Sequence, residues 1–129
     1  MMRRRSAAFI AALTLLAGGS ALAHHSYAAT YDTVKDQKLE GKLVQFVYRN
    51  PHSFVHIEAP DKDGTTQRWA VEWGAGGQLN RQGVSRETLH TGDHVIVTGN
   101  PGRNPADHRL RMKTISRPSD GWKWGGTFD

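Results

Sequence analysis

Short runs in which apolar and polar residues alternate dominate the middle of the chain, as half-buried β-strands require. Five runs predict strands at residues 38–48, 52–59, 67–73, 94–99 and 108–117. In the first run Leu39, Gly41 and Leu43 share one face, but the next apolar candidates, Phe46 and Tyr48, are one residue out of step. Such a slip is produced by a β-bulge, which bends a strand. The first strand is therefore predicted to be long and strongly curved.

The segments between these runs are rich in glycine, proline and asparagine, which favour turns. Between the third and fourth runs the pattern changes, and residues 78–82 predict a short helix that Gly83 ends. Three strands, a short helix and two further strands follow the order of the OB-fold, a Greek-key barrel of five strands. Five strands are too few for an open, lipocalin-like cup. We therefore predict an all-β, OB-like barrel over residues 38–117.

The inward positions of these strands predict the core of the barrel. Trp69 and Trp73 share one face of the third strand, and we expect that face to be buried. The remaining predicted core positions are Leu39, Leu43, Val55, Ile57, Val71, Val95, Val97 and Leu110.

The first 23 residues have the pattern of a secretory signal peptide. Three arginines precede an apolar stretch at residues 7–17, and Ala21-Leu22-Ala23 is a small-x-small cleavage site. The apolar stretch is far shorter than the roughly 20 residues of a membrane span. We divide the chain into a signal peptide (1–23), an N-terminal arm (24–37), the barrel (38–117) and a Gly/Trp-rich tail (118–129) that we expect to be mobile. The mature protein is expected to be soluble and periplasmic or secreted.

Composition narrows the classes of function. The chain has no cysteine, so it has no disulfide, thiolate ligand or nucleophilic thiol. Loss of the three leader arginines lowers the formal net charge from +5 to +2, which weakens the case for nucleic acid. We expect no nucleic-acid partner and no membrane insertion after cleavage. The sequence has no nucleophile elbow, phosphate loop or suitably spaced carboxylate pair, so we do not expect an enzyme.

The histidines at the predicted mature terminus suggest a metal site. Cleavage after Ala23 makes His24 the first residue, so its imidazole and its free amine, whose ordinary pKa is about 7.7–8.0, form a bidentate pair. A third nitrogen would complete a planar set that suits Cu(II), and its candidate donors are His25, His52, His56 and His94. Cleavage one residue earlier would make His25 the third residue of the chain. The terminal amine, two backbone amides and the His25 imidazole would then form a planar set that again favours Cu(II) or Ni(II). Copper is thus the expected cofactor, if there is one.

Strand geometry limits how the internal histidines can contribute. His52 and His56 share a face but lie about 13 Å apart along a strand, at roughly 3.3 Å per residue. His52 follows the Asn50-Pro51 turn and could be donated towards the N-terminal arm. Glu72 either points outward alone, which we favour, or orients a ligating imidazole from a second layer. Water or Asp32 could fill an axial position.

A metal-free binding module is the alternative function. OB barrels often bind ligands through aromatic and basic side chains on one face. The candidate ligand face here consists of Tyr48, Phe54, Arg68 and Glu72, and its partner would be an unknown protein or small molecule.

Five short motifs occur in a characteristic order: Ala23-His24-His25-Ser26, Leu39-x-Gly41-x-Leu43, Asn50-Pro51-His52, Trp69-Ala70-Val71-Glu72 and Thr91-Gly92-Asp93. In this set the chain resembles DUF6152, a family of small exported bacterial proteins of unknown function. The resemblance extends from Ala23 to about Ser116 and implies a periplasmic OB-like barrel. It implies no catalytic residues, and the Trp122-Lys123-Trp124 tail has no counterpart in the family pattern.

Overall fold

Six β-strands form one sheet that closes on itself. The structure is a computed structural model, and it describes residues 27–128. The strands are β1 (Gln37–Val47), β2 (Phe54–Pro60), β3 (Thr66–Glu72), β4 (His94–Pro101), β5 (Arg109–Arg117) and β6 (Trp122–Gly125). A short helix, α1 (Gly76–Arg81), lies between β3 and β4, and a 3₁₀ turn, Pro105–Asp107, precedes β5. The five predicted strands and the helix are confirmed, with every boundary within two residues of its predicted position.

The order of the strands is that of an OB-like barrel. Hydrogen bonding links them in the order β3-β2-β1-β4-β5-β6, and all of these neighbours are antiparallel. A parallel pairing of β3 with β5, in which Val71 lies opposite Leu110, closes the first five strands into a barrel. The predicted fold class is therefore confirmed, with β6 as an addition at the edge of β5.

The predicted bulge in β1 is present. The register against β2 shifts between Leu43 and Gln45, and beyond the shift Phe46 pairs with Val55. Gly41, just before the bulge, lies so close to β2 that a β-carbon there would be 2.0 Å from the carbonyl oxygen of Glu58. Only glycine fits at this point, where β1 crosses from one neighbour to the other.

The interior of the barrel contains all the predicted core residues. Each of the eight aliphatic positions is at most 3% exposed, and Trp69 and Trp73 are buried with them. Leu79 from α1, together with Val84 and Leu89 from the loop that follows, is also buried in this cluster. The helix therefore closes one end of the barrel with apolar side chains.

The described part of the C-terminal tail, residues 118–128, packs on the barrel and includes β6, which the expectation of a mobile tail missed. Gly121, with a φ of 74°, makes the turn after β5, and the amide of Trp122 donates to the carboxylate of Asp120. In β6 the Trp124 ring is 8% exposed and its centroid lies 5.0 Å from that of Trp73. Phe128, which is 2% exposed, belongs to the same core cluster.

The described part of the N-terminal arm lies against the barrel rather than standing away from it. Residues 27–30 form a helical turn where we expected extended chain. Tyr31 then forms a β-bridge with Gly102, and the amide of Asp32 donates to the carbonyl of Pro101 at 2.9 Å. Within residues 27–128 no helix is long and apolar enough to cross a membrane. The predicted signal peptide, His24 and His25 lie outside the described residues.

Candidate functional site

The carboxylate of Glu72 is buried beneath the arm, between the side chains of Tyr31 and His52. Glu72 ends β3 and alternates with Val71, so its side chain leaves the sheet on the side away from the core. The outward direction that we favoured is therefore right, but the expectation that the carboxylate stands alone is wrong. Glu72 is only 9% exposed, because the arm covers this face and the Tyr31 hydroxyl donates to its Oε2 at 2.6 Å.

Tyr31 is held as a hydrogen-bond donor. It is 1% exposed, and burial together with the hydrogen bond to Glu72 raises the pKa of its hydroxyl above the ordinary value. The guanidinium of Arg109, on β5, lies over its ring at 5.6 Å from the centroid. Tyr31 therefore remains protonated at neutral pH and fixes one oxygen of the carboxylate.

His52 lies beside the other oxygen of Glu72. Two backbone hydrogen bonds extend the β2–β3 ladder past Phe54: the Ser53 amide donates to Gly74, and the Trp73 amide donates to Ser53. This extension brings His52, the residue just before the ladder, alongside the end of β3. Its Nδ1 lies 3.5 Å from Glu72 Oε1, and its side chain is 35% exposed.

Tyr27 connects this histidine to the start of the described arm. Its hydroxyl and His52 Nδ1 share a hydrogen bond of 3.3 Å, and the two rings meet edge to face. The guanidinium of Arg111 stacks on the Tyr27 ring at 3.9 Å from its centroid and donates to the carbonyl of Phe128 at 2.7 Å. The arm is thus clamped against the outer side of β5 at the point where it reaches His52.

This arrangement favours a ligating role for His52. Its Nδ1 makes the contacts with Tyr27 and Glu72, whereas no described residue hydrogen-bonds its Nε2. Histidines that bind metals usually hold one ring nitrogen against a carboxylate or similar group and bind the metal through the other. His52 is therefore the candidate ligand, and Tyr27, Tyr31 and Glu72 form a second layer that supports it. We call these four residues the arm cluster.

The other internal candidates, His56 and His94, have different neighbours from His52. The His56 ring stacks on Phe54 with centroids 6.3 Å apart, and burial and the nearby charges of Arg68 and Arg49 lower its pKa. His94 Nε2 lies 3.0 Å from a carboxylate oxygen of Glu40 on the exposed side of the β1–β4 pair. Among residues 27–128 no three histidines or carboxylates are grouped closely enough to hold an ion.

Three of the four residues of the predicted ligand face, Phe54, Arg68 and Glu72, lie on the outer side of the β2–β3 pair, where Phe54 is directly opposite Glu72. Tyr48 donates to the carbonyl of Gly76 at 2.6 Å and anchors α1, while Arg68 donates to Gln45 at 3.0 Å. Phe54 lies between His56 and the guanidinium of Arg49, and Glu72 belongs to the arm cluster. Each of the four therefore has a local partner.

Sequence reasoning missed the tyrosines and the arginine of this region. Tyr27 and Tyr31 are four residues apart, a spacing that places both on one side of the helical turn in which the Tyr31 amide donates to the Tyr27 carbonyl at 2.7 Å. That spacing was the available signal, but the segment was interpreted as extended. Arg111 gave no signal, because alternation along β5 shows only that it faces outward.

Comparison with known proteins places this chain in a family. The model of DUF6152, a family of unknown function, matches residues 12–111, and the chain belongs to that family. Among solved structures, the chain is similar to a crystal structure of the mitochondrial single-stranded DNA binding protein Rim1 from S. cerevisiae. That match has 20% sequence identity and a TM-score of 0.47, and it covers 64% of this chain and 92% of the other. None of the curated proteins compared with the sequence matches it.

Proposed function

We propose that this chain is an exported copper-binding protein whose site combines the processed N-terminus with His52. The observation that carries the proposal is the contact of Tyr27 with His52 Nδ1 at 3.3 Å. It brings the start of the arm to a histidine whose Nδ1 also lies 3.5 Å from the Glu72 carboxylate. The amine and imidazole of His24 supply two nitrogens, and His52 Nε2 supplies the third.

Chain length supports this combination. His24 lies three residues before Tyr27, and three residues span at most about 11 Å of extended chain. The side chain of Tyr27 itself touches His52. The chain between Tyr27 and His24 is therefore short enough to keep the terminal amine and imidazole near the His52 ring. Three nitrogen donors in a T-shaped or square-planar arrangement are a set that Cu(II) prefers.

Glu72 and Tyr31 complete the proposed site without binding the ion. The carboxylate lies behind His52 Nδ1, where it favours the tautomer that leaves Nε2 open, and Tyr31 holds that carboxylate in place. Replacing Glu72 by glutamine is expected to weaken copper binding about 10- to 100-fold. Affinity should also fall as pH falls, because the amine and imidazoles bind metal only when deprotonated.

Periplasmic localisation is part of the proposal, since the site exists only after cleavage at Ala23. Intact mass of the exported protein tests it, and retention of the leader or cleavage elsewhere would contradict it. We assign no catalytic activity, and the expected absence of a nucleic-acid partner stays a prediction.

Titration of Cu(II) into two forms of the protein tests the terminal ligands. One form begins at His24 after export, and the other carries an acetyl group on the amine of His24, which removes that nitrogen as a ligand but preserves every side chain. We expect the processed form to bind one Cu(II) at least about 100-fold more tightly, as the loss of a primary chelating nitrogen implies. Equal and weak uptake by both forms would refute the copper site, and a metal-free binding module would then be the better function.

A further inference from the structure

A second candidate site is lined in part by Arg109, whose guanidinium also lies over the Tyr31 ring. It is a depression of about 140 Å³ between the arm, the β2–β3 turn and the β4–β5 loop. Its walls include the rings of Trp69, Pro101 and Pro105, and its cations are Lys35, Lys62, Arg103 and Arg109. We call it the loop pocket.

The charge of the loop pocket is unbalanced in favour of cations. Two carboxylates, Asp32 and Asp61, face the four cations. Each carboxylate already has a partner: Asp32 lies 3.3 Å from the ammonium of Lys35, and Asp61 lies 2.8 Å from His108 Nε2. Four cations against two carboxylates leave the pocket with an excess of positive charge, which suits it to an anion.

Two of these cations are held in place by the arm. Arg103 donates through its Nε to the carbonyl of Ala28 at 2.6 Å, and Arg109 lies over the Tyr31 ring. A guanidinium restrained by one contact loses little freedom when it binds a ligand, and its planar array of donors matches a carboxylate. Lys62, in the β2–β3 turn, is exposed and adds charge from the opposite side.

The apolar walls and the size define the rest of the ligand. The Trp69 ring is fixed by a hydrogen bond from its Nε1 to the carbonyl of Ala59 at 3.2 Å and by edge-to-face contact with His108. With Pro101 and Pro105 it gives the pocket three rigid ring surfaces. The volume is close to that of cavities of about 150 Å³ that accept benzene.

We infer that the loop pocket binds a small monocarboxylate with an apolar body the size of one ring. The inference goes beyond the proposed copper site and does not depend on it, because the residues that form the pocket do not include His24, His52 or Glu72. The carboxylate is bound by Arg103 and Arg109, and the body lies against Trp69 and the two prolines.

Titration with benzoate, followed by amide and indole NMR shifts of the processed protein without added copper, tests this inference. We expect a dissociation constant on the order of 1 mM. The largest shifts should fall on the Trp69 indole and on the amides of Gly102 and Arg103. Benzamide, which lacks the charge, and acetate, which lacks the ring, should each bind at least about tenfold more weakly. Equal binding of either control, or benzoate shifts centred elsewhere, would overturn the inference.

Two variants and one control test which arginines bind the carboxylate of benzoate. Arg109→Gln and Arg103→Gln should each weaken benzoate binding about tenfold, while Lys123→Gln, which removes one positive charge on β6, should change it less than about twofold. Arg103 is exposed, so its variant decides the matter if loss of the Arg109 contact with Tyr31 prevents folding. Unchanged benzoate affinity in Arg103→Gln would contradict the proposed site.

Discussion

Replacing Tyr31 by phenylalanine removes one hydroxyl from the arm cluster and leaves the ring in place. The hydroxyl is the buried donor to Glu72 at 2.6 Å, and the ring beneath the guanidinium of Arg109 is retained. Loss of a buried hydrogen bond to a charged group costs about 1.5–3 kcal/mol. We therefore expect Tyr31→Phe to lower the free energy of unfolding by about 2 kcal/mol. At roughly 4 °C per kcal/mol for a domain of this size, Tm should fall by about 8 °C.

Urea unfolding followed by tryptophan fluorescence measures this change, and the m-value should stay constant if only stability is altered. A double-mutant cycle with Glu72→Met assigns the cost to the pair. In the Glu72→Met protein the hydroxyl has lost its acceptor, so adding Tyr31→Phe should cost less than about 0.5 kcal/mol. A Tyr31→Phe variant as stable as the parent, or costs of the two substitutions that simply add, would rule out a stabilising hydrogen bond between Tyr31 and Glu72.

Three further predictions concern the barrel and its edges. Gly41→Ala should destabilise the protein by about 1–3 kcal/mol or more, because the new β-carbon would clash with the carbonyl of Glu58. Gly77→Ala is the control: its β-carbon would lie 3.9 Å from the Arg81 side chain, and it should stabilise α1 by about 0.5–1 kcal/mol. Trp124→Ala should cost about 3–5 kcal/mol in urea unfolding, against less than about 0.5 kcal/mol for the exposed control Lys123→Ala, and equal costs would contradict the ordered tail. The hydrogen bond from His108 lowers the pKa of Asp61, so the stabilisation is present above the ordinary carboxyl value of about 3.9 and is lost as pH falls through the lower folded value. Asp61→Asn should therefore flatten the acid limb of a Tm-against-pH curve, and an unchanged limb would contradict this assignment.

Most of the barrel could be predicted because its signals are local. Val55 and Ile57 in β2, and Trp69 and Val71 in β3, occupy every second position, and all four are buried as expected. Side chains in a strand alternate with a period of two, so the one-residue shift of this alternation after Leu43 marks the bulge. Turn residues then fix where each strand must stop.

The arm cluster could not be predicted because its members are distant in sequence. Tyr31 and Glu72 are separated by 41 positions, and alternation along β3 shows only that Glu72 leaves the sheet outward. What covers that face depends on the path of the arm, which the Tyr31–Gly102 bridge determines. The C-terminal strand was missed for a different reason: its glycines suggested mobility, while the spacing of Trp122 and Trp124 was that of a strand.

In the proposed site, His52 and the processed terminus bind the same copper ion. Pulsed EPR of one equivalent of Cu(II) in the exported protein counts the nitrogen ligands directly. We expect three coordinated nitrogens in the parent and two in His52→Asn, with at least about tenfold weaker binding. His94→Asn is the matched control, since His94 pairs with Glu40 at 3.0 Å away from the arm cluster, and it should retain all three nitrogens. A His52→Asn spectrum identical to that of the parent would contradict the claim.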